Sequence, residues 1–406
     1  MSPHPISPFR RGRAGATRTV ALVTLLVAGL AAALFVSNRQ RRAKWPDPVR
    51  AETAVGDSTC ISCHRDKASF EGTAHRLTMQ HPTRATVAGN FSPGQNVLRT
   101  TDPNLYFHMN ADSAGFTQTA VLRHGRDSTT RTERFGLVSG IRKGQSYLYW
   151  TGNRLYQLPV SYWASLGKWI NSPGYIDGSM NFDRAISPRC FECHSTWIQQ
   201  VMDPGAQNRY DTTGVILGIT CERCHGAGRE HVARERSVFH AVKGPAIVNP
   251  GRLSRQRQMD ACAQCHGGLG QPIAPTFSYV AGRPLDRYLT LDQLPPTATV
   301  DVHGNQVALL TRSRCYRESQ MTCISCHDVH QTQRDPKVLS GRCLACHQEQ
   351  SCKLFPKEGH ALKGRCVDCH MPLQESNLIV SGLEGKEEKA LVRTHWIRVW
   401  PDSLRR

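Results

Sequence analysis

One short pattern recurs through this chain of 406 residues: two cysteines separated by two residues and followed at once by a histidine. It uses fourteen of the sixteen cysteines. The seven copies are Cys60, Cys63, His64; Cys190, Cys193, His194; Cys221, Cys224, His225; Cys262, Cys265, His266; Cys323, Cys326, His327; Cys343, Cys346, His347; and Cys366, Cys369, His370. A spacing kept this strictly constrains the fold more than any other feature of the chain.

The repeated pattern is the attachment signature of haem c. Two thiols form thioethers with one porphyrin, and the adjacent histidine reaches its iron as the proximal ligand. A zinc ribbon needs no histidine after each cysteine pair, a thioredoxin-like motif occurs once, and disulfides do not produce seven identical spacings. The sequence therefore predicts seven covalently attached haem c groups.

The fold class predicted from these motifs is mainly α, with much irregular structure organised around stacked c-type haems. Only 39% of the residues are hydrophobic, which is low for a globular chain. Seven porphyrins would supply the missing apolar core. We expect one multihaem domain over residues 45–400, with a haem-dense core at 190–372.

A small antiparallel β insert is expected between the first and second motifs, over about residues 97–162. Segments such as "TAVLRHG" and "QSYLYWTGNRLYQLPVSYW" alternate apolar and polar residues and are broken by Gly and Asn. The insert would cover haems and shape an access route, or it is structural padding.

The N-terminus predicts a single membrane anchor. Residues 20–36 form an apolar run of about the length that spans a bilayer. We expect a cytoplasmic basic segment at 1–18 and a transmembrane helix at 19–37. A signal peptide is the alternative, but no A-x-A cleavage site ends the run. Because haem c is attached outside the bacterial cytoplasmic membrane, the haem domain is expected in the periplasm, on a single-pass inner-membrane protein.

The net charge of +19 suggests nucleic-acid binding, but its distribution argues against it. Eight of the basic residues lie in residues 1–44, which contain no acidic residue. Haem propionates would offset much of the remainder, and arginines would hold them in bidentate pairs. We therefore expect no nucleic-acid partner.

Two cysteines lie outside the motifs, Cys315 and Cys352. An oxidising compartment would allow them to form a disulfide. The alternative is two unrelated buried thiols.

The histidines outside the motifs are candidate distal ligands. Ten remain after the motif histidines and His4 are set aside. Five stand at favourable positions near motifs or in the tail, and these are His75, His231, His330, His360 and His395. The weaker candidates are His81, His108, His124, His240 and His303. Met79 and Met371 are further candidates, although methionine at such positions is more often a core residue.

Several segments together resemble multihaem cytochromes of the cytochrome c-552/c-554 type, in the superfamily of pentahaem nitrite reductase and hydroxylamine oxidoreductase. They are "STCISCH…GTAHRLTM", "CFECHST", "GITCERCHGAGREHV", "IVNPGRLSRQRQMDACAQCH", "SRCYRESQMTCISCHDVH" and "GRCVDCHMP…RTHWI". The resemblance covers about residues 56–400. It implies parallel and perpendicular haem pairs in a continuous electron path, with His231, His330, His360 and His395 as distal ligands.

The chain departs from that family at two points. It reads CHDVH where the family commonly has CHDPH, and it has no CxxCK motif, in which nitrite reductases carry a lysine ligand. Hydroxylamine oxidoreductase has a tyrosine cross-linked to its catalytic haem. Tyr316 is the nearest sequence candidate for that role, but no neighbouring residue supports it.

Two functions follow from these patterns. The first is a membrane-anchored electron carrier between a quinol-oxidising module or another cytochrome and a periplasmic or extracellular partner. The second is an oxidoreductase in which one five-coordinate haem acts on a small nitrogen or sulfur oxyanion. The missing CxxCK and the surplus of histidines favour the carrier. A haem-based gas sensor is disfavoured because seven haems exceed what sensing needs.

Overall fold

The computed structural model describes residues 45–141, 143–237, 246–291, 298–383 and 385–401. Helices in these residues are short, and the longest α-helix has 12 residues. The α-helices are α1 Asp57–Cys63, α2 Pro188–His194, α3 Cys221–His225, α4 Arg229–Arg236, α5 Arg255–His266, α6 Gln306–Thr311, α7 Arg314–Arg317, α8 Pro336–Cys343, α9 Phe355–Glu358 and α10 Cys366–His370. The 3-10 helices are Arg65–Gly72, Pro250–Arg252, Leu285–Arg287, Cys323–Ser325, Glu349–Ser351 and Gly359–Gly364.

Strands are as prominent as helices. They are β1 Met79–Gln80, β2 Val97–Arg99, β3 Leu105–Asp112, β4 Gly115–His124, β5 Asp127–Arg134, β6 Leu137–Ser139, β7 Ser146–Thr151, β8 Arg154–Gln157, β9 Val160–Trp163, β10 Lys168–Asn171, β11 Ser195–Gln200, β12 Tyr210–Leu217, β13 Gln271–Pro272, β14 Leu289–Thr290, β15 Leu373–Leu383 and β16 Lys386–Arg393. Two sheets have four strands, in the orders β2-β3-β4-β5 and β1-β6-β7-β8, and four antiparallel pairs complete the set.

The largest apolar core lies within the strands that follow the first motif. Strands β3 and β4 pair from Leu105 opposite Leu122 to Asp112 opposite Gly115, and every second residue over most of their length is buried. This alternation places one face of the sheet on the core. Aromatic rings fill that core, with Phe135 and Tyr147 stacked at 4.2 Å between ring centres. The β-rich part of the chain is therefore packed by its own side chains.

The expectation of a mainly α fold is wrong. Helix and strand each account for 27% of the residues, and the strands form several antiparallel sheets. The reason is that a Cys-x-x-Cys-His motif needs only one helical turn. After the third motif, for example, Gly226 ends the helix at once with a φ of 85°. Strands also extend to Asn171 and occur after later motifs, as in the long hairpin of β15 and β16.

The predicted anchor at residues 19–37 and the basic segment at 1–18 lie outside the described residues. Among the helices of the part that the structure describes, none is long and apolar enough to cross a membrane.

Candidate haem-binding sites

The cysteine motifs adopt a tight helical turn. In three of them the amide of the histidine donates to the carbonyl of the first cysteine, with N···O distances of 2.9 Å at His64 and 3.0 Å at His327 and His347. Residues three and four apart in such a turn lie on one side of it. The turn therefore presents two thiols and an imidazole in one direction.

Motifs that are distant in sequence lie side by side. The Cys60 thiol hydrogen-bonds with that of Cys221, which lowers the pKa of Cys60. A hydrogen bond from the Cys265 thiol likewise lowers the pKa of Cys193 to about 7. Cys262 and Cys323 form a third such pair. These pairs join the first motif with the third, the second with the fourth and the fourth with the fifth, so the attachment positions of different motifs are neighbours.

Four histidine pairs are the central feature of the site. Each joins one motif histidine to one histidine from outside the motifs. The pairs are His64 with His231 at 6.4 Å between ring centres, His75 with His266 at 6.0 Å, His225 with His330 at 6.1 Å, and His327 with His395 at 6.2 Å. The ring planes are nearly parallel in three pairs, at 18°, 26° and 29°, and close to perpendicular in the pair of His75 and His266, at 80°.

These separations match a metal held between two imidazoles. With metal–nitrogen bonds of about 2 Å, rings facing each other across one metal have centres about 6 Å apart. Each pair supplies two nitrogen ligands, and a porphyrin supplies the four others of an octahedral iron. The spacing thus fits a haem iron with two axial histidines.

Hydrogen bonds orient several motif histidines through Nδ1. His225 Nδ1 lies 2.7 Å from the Val248 carbonyl, His370 Nδ1 lies 3.1 Å from the Arg398 carbonyl, and His266 Nδ1 lies 3.3 Å from Gln306 Oε1. A carbonyl accepts a hydrogen bond from Nδ1–H, which keeps the proton on Nδ1 and leaves Nε2 with a free lone pair. Ligand histidines ordinarily have such a partner, because it fixes the tautomer and ring orientation.

Desolvation holds two of the outer histidines, His75 and His395, in the neutral form. Burial lowers the pKa of both His75 and His395 to about 4, and neutral imidazole is the form that binds metal. Nδ1 of both His231 and His395 is buried without a hydrogen-bond partner. Such an orphaned polar atom fits a site completed by a bound group.

Backbone contacts hold His75 in position. The Ile219 amide donates to the His75 carbonyl at 2.9 Å. Gly218 has a φ of 72°, and a Cβ there would overlap the Arg76 carbonyl. This close approach requires glycine.

Three motif histidines have no histidine across from them among the described residues: His194, His347 and His370. His194 is half-buried, and its Nδ1 lies 2.9 Å from Thr78 Oγ1. Burial lowers the pKa of His194, and the nearby His303 lowers it further. His347 is exposed, and His370 contacts the tail.

His360 lies apart from the motif histidines. Its side chain is 73% exposed, and Nδ1 lies 2.9 Å from Glu349 Oε2. Among the weaker candidates, His81 and His124 are exposed, and His108 Nε2 is 2.8 Å from Asn96 Nδ2. His240 lies outside the described residues.

None of the remaining candidate residues faces a motif histidine in the part of the chain that the structure describes. Met79 is a buried core residue, and Met371 follows the last motif. Tyr316 lies under the Arg255 guanidinium at 4.1 Å. Cys315 and Cys352 are free thiols, so no disulfide joins them.

Sequence reasoning missed the charged residues inside the motifs. Glu222, only 1% exposed, accepts hydrogen bonds from the amides of Val55, Gly56 and Gly228. This contact ties the third motif to the segment before the first. The only sequence signal for Glu222 was a charged side chain at one of the two positions between the cysteines, where the motif accepts any residue.

Glu192 has a similar role in the second motif. It is 8% exposed and accepts from the Phe277 amide at 2.7 Å. Arg189 lies 3.2 Å from the same carboxylate. Arg223, in the third motif, donates to the Glu192 carbonyl at 3.1 Å. Buried charges therefore cross-link neighbouring motifs.

The motif turns and paired histidines define a c-type cytochrome as the class to which this site corresponds. Residues 171–226, which include the second and third motifs, match the family described as cytochrome c554 and c-prime. This match supports a c-type cytochrome that binds haem covalently and transfers electrons. No curated protein and no solved structure matches the chain significantly.

Proposed function

We propose that the chain is a heptahaem c-type cytochrome that carries electrons between redox proteins. The observation that carries this proposal is the set of four histidine pairs, each combining one motif histidine with one outer histidine at 6.0–6.4 Å. An iron with both axial positions filled by the protein exchanges electrons and does not bind substrate. Four of the seven motifs are arranged for that role.

The chain's residues would hold haem in defined ways. Each motif supplies two thiols for attachment and one proximal histidine. His75, His231, His330 and His395 supply distal ligands to the fourth, first, third and fifth motifs respectively. When bound, haem supplies the one-electron chemistry. The side-by-side motifs would keep cofactors close enough for electrons to pass between them.

Each outer histidine lies near a motif other than the one it caps. His231 follows the third motif but faces His64 of the first, and His330 follows the fifth but faces His225 of the third. Iron ligation would therefore cross-link distant parts of the chain. We infer that haem incorporation and folding are coupled.

The cellular setting proposed here follows the apolar run at residues 20–36. We propose a single-pass inner-membrane anchor with the haem domain in the periplasm. Electrons would come from a quinol-oxidising module or another cytochrome and leave to a periplasmic or extracellular partner. Membership of the superfamily of nitrite reductase and hydroxylamine oxidoreductase is part of the same proposal.

A second candidate function is an oxidoreductase acting at the motif of His194. This histidine is half-buried, is hydrogen-bonded to Thr78 and has no described histidine opposite it. Arg189, directly before the second motif, and Arg223, in the third motif, both pair with Glu192 and together leave one net positive charge beside the same helix. A small nitrogen or sulfur oxyanion is the substrate class that such surroundings would attract.

Turnover assays on the dithionite-reduced holoprotein separate the two functions. The carrier predicts no turnover of nitrite, hydroxylamine or tetrathionate, and full reoxidation by an added small c-type cytochrome. If the chain is an oxidoreductase, the iron held by His194 would bind carbon monoxide, and one of these substrates would be turned over. A His303→Ala variant would then alter turnover, whereas His81→Ala, an exposed control, would not.

A further inference from the structure

The C-terminal segment of residues 393–400, called the strap here, contacts two motifs at once. At one end Arg393 donates to the carbonyls of Val367 and Met371, at 2.7 and 2.8 Å, beside the last motif. Further along, the Arg398 amide donates to the His370 carbonyl at 3.3 Å. The strap is thus fastened to the motif that carries His370.

The same strap also carries His395, which faces His327 of the fifth motif at 6.2 Å. Ser313 fixes this part of the strap. Its hydroxyl donates to the His395 carbonyl at 3.2 Å and accepts from the Ile397 amide at 2.8 Å. Ser313 is completely buried, so water does not replace these bonds.

Aromatic rings stiffen the strap between these two attachments. The Arg398 guanidinium lies 4.5 Å from the Trp396 ring centre and 4.6 Å from that of Trp400. A cation between two aromatic rings is attracted to the face of both. Residues 396–400 therefore resist bending independently of either motif.

We propose that the strap couples two irons, with Ser313 as the positioning residue. It holds the distal ligand of the fifth motif's iron, and its Arg398 carbonyl accepts the hydrogen bond from His370 Nδ1, the proximal ligand of the seventh. Both depend on one segment, so displacing the strap removes both together. This inference rests on the proposed function, since it requires haem at both motifs.

The two effects have different spectroscopic consequences. Loss of His395 leaves the fifth motif's iron five-coordinate and able to bind carbon monoxide. Loss of the carbonyl partner makes His370 a weaker electron donor, because a hydrogen bond at Nδ1 raises the basicity of a ligand histidine. The reduction potential of the seventh motif's iron then rises.

The test compares Ser313→Ala with His395→Ala and Ser172→Ala in the holoprotein. Ser172 is also completely buried and hydrogen-bonded, but it lies in the β-rich part of the chain. Ser313→Ala is expected to increase carbon monoxide binding by up to one equivalent and to raise the potential of the seventh motif's iron. His395→Ala is expected to give the first effect alone, and Ser172→Ala neither. Loss of one redox component in a Cys366→Ala/Cys369→Ala variant identifies that iron.

Unchanged carbon monoxide binding and potential in Ser313→Ala would overturn the coupling. If Ser313→Ala yields no holoprotein, Arg398→Ala loosens the strap from its exposed side and is expected to change both readouts in the same directions; no change would again overturn it. Haem content is measured separately in Cys323→Ala/Cys326→Ala. An unchanged haem count there would show that the fifth motif carries no haem, which refutes the proposed function and the coupling with it. A lower haem count there, together with unchanged carbon monoxide binding and potential in Ser313→Ala, overturns the coupling alone.

Discussion

The histidines show how far single residues could be assigned from sequence. Seven were marked by the two cysteines before them. Four of the five favoured outer histidines face a motif histidine in the structure. Which histidine faces which was not predictable, because the partners are far apart in sequence. His360 differs because Glu349 holds it at the surface.

His75→Ala tests this arrangement at one residue. We expect one iron to become high-spin and to bind carbon monoxide, because the ring facing His266 is removed. The near-perpendicular rings of this pair, at 80°, also predict that one highly anisotropic low-spin signal disappears from the electron paramagnetic resonance spectrum. His81→Ala is the matched control, since His81 is exposed and pairs with no described histidine ring. Identical spectra for the two variants would contradict the assignment.

The role of Glu222 could not be predicted from the motif. The spacing indicates what the cysteines and the histidine do, but it says nothing about the side chains between them. Replacing it with alanine leaves the amides of Val55, Gly56 and Gly228 without their acceptor. A buried unsatisfied group costs about 1–3 kcal/mol, and Gly228 is buried whereas Val55 and Gly56 are half-buried, so we expect a loss of about 2–3 kcal/mol. The measurement is the guanidinium midpoint of the holoprotein.

Glu375→Ala is the control for that substitution. Its carboxylate is 65% exposed and lies 3.9 Å from Lys389, so its removal should cost no more than about 1 kcal/mol. Equal midpoints for the two variants would mean that Glu222 does not fasten the third motif to the start of the domain.

Among the elements, the strands after the first motif were predictable and the overall balance of helix and strand was not. Apolar alternation is a local signal, and it is clear in segments such as "YLYW". The number of motifs suggested helices throughout, but each motif orders only one turn. The hairpin of β15 and β16 was missed, because its strands are half-exposed and carry weak alternation.

The strands after the first motif and the motif turns differ in the side chains that pack around them. Phe107, Tyr147 and Tyr149 are at most 1% exposed and belong to one cluster of buried protein side chains, whereas the motif turns have few buried apolar side chains. In a chain whose fourteen motif cysteines are replaced by alanine, we expect amides of β3, β4 and β7 to keep slow hydrogen exchange. Amides of α3 and α10 should exchange rapidly. Uniform exchange in both regions would show that the β-rich part also depends on haem.

At the scale of the molecule, the histidine pairs run between distant segments. His64 of the first motif faces His231, which follows the third motif. His225 of the third motif faces His330, which follows the fifth, and His327 of the fifth motif faces a histidine of the strap. Sequence alone indicated the number of attachment sites and the supply of ligands. It could not show this interlocking, since only the folded chain brings His64 and His231, which are 167 positions apart in the sequence, to face each other.

The most direct measurement is near-infrared magnetic circular dichroism of the oxidised holoprotein, quantified against total haem per chain. Charge-transfer bands in this region distinguish bis-histidine iron from five-coordinate iron. We predict seven haems per chain, of which at least four are bis-histidine and low-spin. Fewer than four such haems, or a haem count too low to fill the seven motifs, would contradict the proposed heptahaem electron carrier.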